Sequence, residues 1–151
     1  MATPAMATSP MTPAVFAVAN RTPVLTAHAE GAQIYECKTG SDGQTVWAFR
    51  EPIATLMVDG KTVGRHYAGP SWEIGHGEIV KGKVSANAPG AAPGDIALLK
   101  LDVVDHEGSG ELQAASLVLR LNTHGGDVKG SCSTPGALRA EPYSADYLFL
   151  K

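Results

Sequence analysis

The chain has 151 residues, about one domain's length and enough to bury a core of its own. A formal net charge of −3 with only 18% charged residues excludes the basic face of a nucleic-acid binder and the polybasic patch of a membrane-surface protein. Gly (17) and Pro (10) favour many turns over long helices.

Residues 1–21 read as a disordered leader. No charge occurs before Arg21, and Pro4, Pro10 and Pro13 would break any helix there. Ala17-Val18-Ala19 has the small-x-small form of a signal-peptidase site, at the end of the longest apolar run, Ala14 to Ala19. No Lys or Arg precedes it and the run is short for an apolar core, so the segment falls short of a complete signal peptide. No stretch approaches the roughly 18 apolar residues of a membrane helix. Asn20-Arg21-Thr22 is a glycosylation sequon, meaningful only in a eukaryotic secretory setting.

The folded domain is expected over residues 22–151, as short strands separated by turns. Pro23 to Ala29 and Gly31 to Lys38 read as two strands, with Gln33, Tyr35 and Cys37 on one face of the second. Gln44 to Arg50 and Ile53 to Val58 follow, split by Pro52. Asp59-Gly60 is the strongest hairpin signal and should turn the chain into Lys61 to Tyr67. Further strands are expected at Ser71 to Ile74, Glu78 to Ser85, Asp95 to Val104, Glu111 to Asn122, Asp127 to Cys132 and Tyr143 to Lys151. Ala86 to Gly94, with Pro89 and Pro93, is a loop. The expected fold is all-β, an antiparallel sandwich or barrel of about ten short strands.

Familiar catalytic signatures are absent. The sequence has no P-loop, no G-x-G-x-x-G opening a helix, no G-x-S-x-G elbow and no C-x-x-C pair. No cofactor is therefore expected. The densest polar cluster is G-R-H-Y-A-G-P-S-W-E-I-G-H-G, Gly64 to Gly77. A hairpin at Gly69-Pro70 would bring His66 within reach of Trp72 or Glu73. Imidazole beside carboxylate suits acid/base work or a divalent metal, with His76 as a third ligand; the plainer alternative is a hydrogen bond that fixes the hairpin.

In L-V-L-R-L-N-T-H-G-G, Leu117 to Gly126, the three Leu share one face and Val118, Arg120 and Asn122 the other. With the Leu facing the core, Arg120 is ordinary surface. Were both faces buried, Arg120 would need a carboxylate such as Glu36, Glu73 or Asp146. Trp47, Trp72, Tyr35 and Tyr147 read as core anchors. Cys37 and Cys132 suit either one long-range disulfide or two buried thiols.

Four motifs occur in order: G-A-Q-I-Y-E-C-K from Gly31, V-G-R-H-Y-A-G-P-S-W-E from Val63, L-R-L-N-T-H-G-G from Leu119 and P-Y-S-A-D-Y-L-F from Pro142. Together they resemble a family of small, usually secreted bacterial and fungal proteins known as a domain of unknown function. The resemblance implies an extracytoplasmic location and a Cys37–Cys132 disulfide. It places His66, Tyr67, Trp72 and Glu73 in the family's central motif, Arg120 and Asn122 in its second, and Tyr143, Asp146 and Tyr147 in its last. It implies no reaction, and His76 and His124 depart from its pattern.

The functional expectation is a secreted or periplasmic β-domain that binds a small polar or aromatic ligand without catalysis. His66, Tyr67, Trp72, Glu73, Arg120, Asn122 and Asp146 are its candidate site residues. The alternatives are a small metal-assisted enzyme using His66 and Glu73, and a structural or cell-surface protein with no ligand.

Overall fold

The structure is a computed structural model that describes residues 12–151. Its strands are β1 (Pro23–Thr39), β2 (Thr45–Val58), β3 (Lys61–Tyr67), β4 (Ser71–Ile74), β5 (Glu78–Ala88), β6 (Leu98–Glu107), β7 (Leu117–Gly125) and β8 (Leu138–Leu150). Each pairs antiparallel with the next, and β8 returns to β1, so the sheet closes into a barrel with strands in sequence order. Closure satisfies the ladder groups that an open sheet would leave at two edges. The Asp59-Gly60 turn forms as expected: both residues have positive φ, 52° and 77°, and Val58 pairs with Lys61.

The all-β expectation holds, with eight strands among the described residues in place of about ten. The difference arises where Gly or Pro lies inside a strand instead of ending one. Gly31 joins its two expected strands into β1, because it faces the backbone of β2 closely; a Cβ there would lie 2.0 Å from the Ile53 carbonyl oxygen. Pro52 lies within β2, opposite Gln33 and close to the register shift at Ile34/Tyr35, where a missing N–H is tolerated. Glu111–Ala114 forms a 3-10 turn, and β7 begins only at Leu117. Residues 127–132 form no strand; Ser131 makes an isolated bridge with Val46, and Asp95 bridges Gly126 just before the segment.

Two hydrophobic clusters occupy the two sides of the wall. The inner one holds Ala27, Ala29, Leu56, Trp72, Val118, Tyr147 and Phe149. It is closed at one end by Leu112 and Ala115 from the 3-10 turn and its exit, fully or almost fully buried. That end is where β5 begins and β6 ends, and Glu78 there accepts bonds from the Gln113 backbone and side-chain nitrogens at 3.1 and 3.2 Å. The outer cluster holds Leu117, Leu119, Leu121, Leu148 and Leu150, covered by Phe16 and Val18. Most of the expected leader, residues 1–11, lies outside the described residues. Its last part differs from the expectation: Ala14–Phe16 forms a 3-10 turn, and Phe16 is buried. The folded unit therefore starts before residue 22, because β7 and β8 carry apolar residues on both faces and the outer set needs cover.

Cys37, near the end of β1, and Cys132, before β8, form a disulfide with Cα atoms 5.9 Å apart. The bridge pins the 126–137 connection to the open end of the barrel, reinforced by the Cys132 N–H bond to the Thr45 carbonyl at 3.1 Å. By loop-closure entropy a bridge across about 100 residues is worth on the order of 4 to 5 kcal/mol.

Phe16 tests the outer core. Phe16→Ala should lower unfolding free energy in urea by about 3 kcal/mol or more, the cost of deleting a buried Phe. A loss below about 1 kcal/mol would mean that the segment merely lies on the surface.

Candidate functional site

The end of the barrel opposite the Leu112 plug is lined by polar side chains. His66 on β3 lies directly across from Trp72 on β4, so both point into the lumen. Their rings stack with centroids 4.7 Å apart and 18° between planes. The Tyr147 ring from β8 sits 4.9 Å from His66 and 5.5 Å from Trp72, completing an aromatic wall. Gly82 leaves room for it; a Cβ would come within 3.1 Å of Trp72.

The hydrogen bonding of His66 sets its state. Nδ1 lies 2.8 Å from the Ser71 carbonyl oxygen, which only accepts, so Nδ1 carries the proton and Nε2 presents a lone pair. Burial pushes the imidazole pKa down to about 4; the Ser71 carbonyl opposes this and the Arg120 cation adds to it. His66 is thus a neutral acceptor at physiological pH. Tyr143 and Tyr147 stand 3.1 Å apart through their hydroxyls, and burial pushes both pKa values upward.

Arg120 reverses the default expectation. Leu117, Leu119 and Leu121 face outward beneath Phe16, while Val118 and Arg120 point into the barrel, so β7 is buried on both faces. The half-buried guanidinium donates from Nε to the Ala97 carbonyl at 2.9 Å. Among the described residues no carboxylate lies within 4.0 Å of it. The three suggested partners are engaged elsewhere: Glu36 with Arg50, Glu73 with Arg65 and Asp146 with His28.

Two connected chambers meet at Arg120. The inner one, about 320 Å³, is bordered by His66, Trp72, Tyr147, Leu101 and Val84. The outer one, about 680 Å³, opens between Tyr35, Asp127 and the loop 89–97. Gln33, Phe49, Leu99 and Arg120 border both. The loop is held by Asp95, whose carboxylate accepts from the Gly125 and Ala92 backbone N–H groups at 2.8 and 3.2 Å. Two residues that border the inner chamber each carry a polar atom closed off from solvent and without a hydrogen-bond partner, the Gln33 amide oxygen and the Trp72 indole nitrogen. Such atoms are costly unless something pairs with them.

His66, Trp72 and Arg120 are thus brought together, and the other candidates are not. Tyr67 and Glu73 lie on the outer face, where Glu73 Oε1 accepts from the Tyr67 hydroxyl at 2.9 Å and from Arg65 Nη2 at 3.1 Å. The Tyr67 hydroxyl, then Arg65, holds the Glu73 carboxyl below its ordinary value. His66 and Glu73 occupy opposite faces of the wall, so the acid/base or shared-metal pairing expected of them does not form. Asn122 and Asp146 belong to a second outer cluster. Asn122 Nδ2 donates to Asp146 Oδ2 at 2.8 Å, and His28 bridges Asp146 and Glu30 at 2.8 and 2.6 Å. Those carboxylates, Asp146 first, raise the His28 pKa. His76 and His124 are exposed, and His106 Nε2 donates to the Ala115 carbonyl at 2.9 Å. Among the described residues no three His, Cys, Asp or Glu side chains converge as a metal set would.

Gln33 and Leu99 were not singled out from the sequence. The available signal for Gln33 was its phase: it shares a β1 face with Tyr35, and a polar residue in an inward register marks either a partner or a lumen.

Comparison with known proteins places the chain. The family model described as protein of unknown function (DUF3455) matches residues 18–151, and the chain belongs to that family. The match agrees with the resemblance carried by the four motifs and begins at Val18, within the segment that covers the outer core. No curated protein and no solved structure matches.

The state of His66 has a consequence in acid. The unfolded imidazole takes a proton near pH 6.5, whereas the folded one does so only near 4. Stability should therefore fall as pH drops from 6.5 toward 4, by on the order of 3 kcal/mol in full. Urea unfolding of wild type and His66→Gln at several pH values in that window checks this. The variant should lose less stability than wild type over the window, and parallel losses would show that His66 is protonated in the folded protein.

Proposed function

We propose that this member of the DUF3455 family is an extracytoplasmic binding protein that holds a small ligand in the barrel lumen, at His66, Trp72 and Arg120, without catalysis. The single observation that carries the reading is the half-buried Arg120 guanidinium, which borders the chamber and has, among the described residues, no carboxylate within 4.0 Å. A half-buried cation without a counter-charge is unfavourable, and a ligand with a matching group would complete it. The chamber, about 320 Å³, is at the small end of the range for ligand pockets. Its lining mixes aromatic and aliphatic walls with a few convergent polar groups, as ligand sites do.

The compartment is argued from the Cys37–Cys132 disulfide, a bond that persists in oxidising surroundings. Among the described residues no helix is long and apolar enough to cross a membrane. The metal-assisted alternative loses its named pair, since His66 and Glu73 face opposite sides of the wall. Tyr67, Glu73, Asn122 and Asp146 act in this reading as outer braces of β3–β4 and of β7–β8–β1, and not as ligand contacts.

The two tryptophans, Trp47 and Trp72, make the test direct. Trp47→Phe leaves Trp72 as sole reporter of the lumen. Small polar and aromatic compounds that raise the melting temperature of this variant should also shift Trp72 emission. Val84→Phe, which narrows the inner chamber, should abolish both effects. Compounds that stabilise the narrowed and the open barrel equally, or leave Trp72 emission unchanged, would place binding elsewhere.

A further inference from the structure

The charge lining the inner chamber is one-sided. It is bordered by two guanidinium groups, Arg50 and Arg120, and by no Asp or Glu. Arg50 is already committed, to Glu51 at 3.2 Å and Glu36 at 3.6 Å. Arg120 has no carboxylate: it donates from Nε to the neutral Ala97 carbonyl and lies beside the neutral Tyr147 hydroxyl. Both neighbours are neutral, so the guanidinium is left without a counter-charge, in a setting drier than bulk water. A half-buried cation without a counter-charge is unfavourable, and two parallel donors suit one anionic group best, a carboxylate or a phosphate.

The surroundings decide between these two. A phosphate monoester carries nearly two charges and several acceptor oxygens, and its sites gather several cations or a run of backbone N–H donors. Here one free guanidinium faces Trp72, Leu101, Val84 and Phe49. The acidic residues of the outer chamber, Asp95 and Asp127, would repel a doubly charged group on its way in; Asp95 is held by backbone N–H groups and Asp127 lies 3.4 Å from Lys129. A single negative charge on an apolar body matches one cation set in an aromatic and aliphatic wall.

Resting on the lumen-binding reading above, we infer that the ligand is a small organic monocarboxylate, its carboxylate seated on the Arg120 fork and its apolar body against Trp72 and Leu101. His66 Nε2 then acts as an acceptor for a hydroxyl or N–H on that body, because His66 donates only through Nδ1, to Ser71. The neutrality of His66 is part of the selection: one cation in the chamber fits one anion.

Matched pairs separate charge from shape. Benzoate, 3-phenylpropionate and hexanoate, each beside its primary amide, are titrated into the full-length protein by calorimetry near pH 7. At least one carboxylate should bind, and roughly tenfold or more tighter than its amide, the scale of a charge-assisted hydrogen bond. Arg120→Gln should bring each pair to within about twofold, while Arg120→Lys, which keeps the charge and loses the fork, should retain part of the preference. Near-UV circular dichroism on both variants reports whether the barrel is intact, and the wild-type pairs stand as a test in their own right. Amides binding as tightly as carboxylates would overturn the assignment while leaving the lumen as a binding site. So would a preference that survives Arg120→Gln. Absence of binding by all three carboxylates overturns it also, whatever neutral compounds reach the Trp72 reporter.

Discussion

Barrel closure is the constraint from which the rest follows. β1 spans Pro23–Thr39 and pairs from His28 to Thr39 with β2 on one side and from Pro23 to Glu36 with β8 on the other. Once it does so, every wall strand has an inside and an outside, and alternate residues must choose between them. The inside is narrow at its plugged end, which small residues on β1 and β8, Ala27, Ala29 and Ala145, share with Phe149 and Leu112. Toward the other end the same alternation delivers Gln33, His66, Trp72, Arg120 and Tyr147 to one place from strands far apart in sequence. No loop has to bring them together; the register of the ladders does.

Closure also explains the N-terminal segment. β7 and β8 each alternate apolar residues on the inner face with apolar residues on the outer one, as in Val118 against Leu117 and Leu119. A barrel wall buried on both faces requires a second layer, and Phe16 and Val18 provide it. Cover on the outside allows the inner face of β7 to be spent on Arg120. The strand keeps its place through outer packing, so the inward guanidinium need not be neutralised for the strand to hold.

The sequence made the turns legible and hid the parity. Asp59-Gly60 could be read directly because a two-residue turn with two positive φ values admits few residue types. Strand number was overestimated because Gly31 and Pro52, ordinary turn signals, here serve close approach and an irregular register inside long strands. The segment Gly64 to Gly77 was correctly legible as a hairpin of polar residues, and His66 and Trp72 do meet in the lumen. Glu73 and Tyr67 fell on the other side because a hairpin shifted by one residue sends each side chain to the opposite face, and no local signal fixed that register. The same one-residue phase separates Arg120 from Asn122, where the ladder shifts between Leu121 and His124 and Asn122 takes a positive φ of 51°. Asp146 follows from its neighbour Tyr147: when the tyrosine points inward, the aspartate points out.

His66 and Arg120 are two answers to one electrostatic problem. A lumen of low polarity disfavours charge, and the group that can shed its charge does so: His66 is held neutral by burial, with Arg120 adding to the effect. An arginine has no such recourse, since the residue type stays cationic in proteins. The protein keeps it nonetheless, with a neutral backbone carbonyl as a hydrogen-bond acceptor and three other residues that border both chambers, Gln33, Phe49 and Leu99, around it. An arginine placed only to stabilise the fold would be expected to have a carboxylate beside it, as Arg50 and Arg65 have on this same barrel. Those two cations are exposed, where a counter-ion adds little; the one that needs a counter-ion most is the one without it. That inversion is hard to account for by stability alone, and it is what a site built to receive an anion requires.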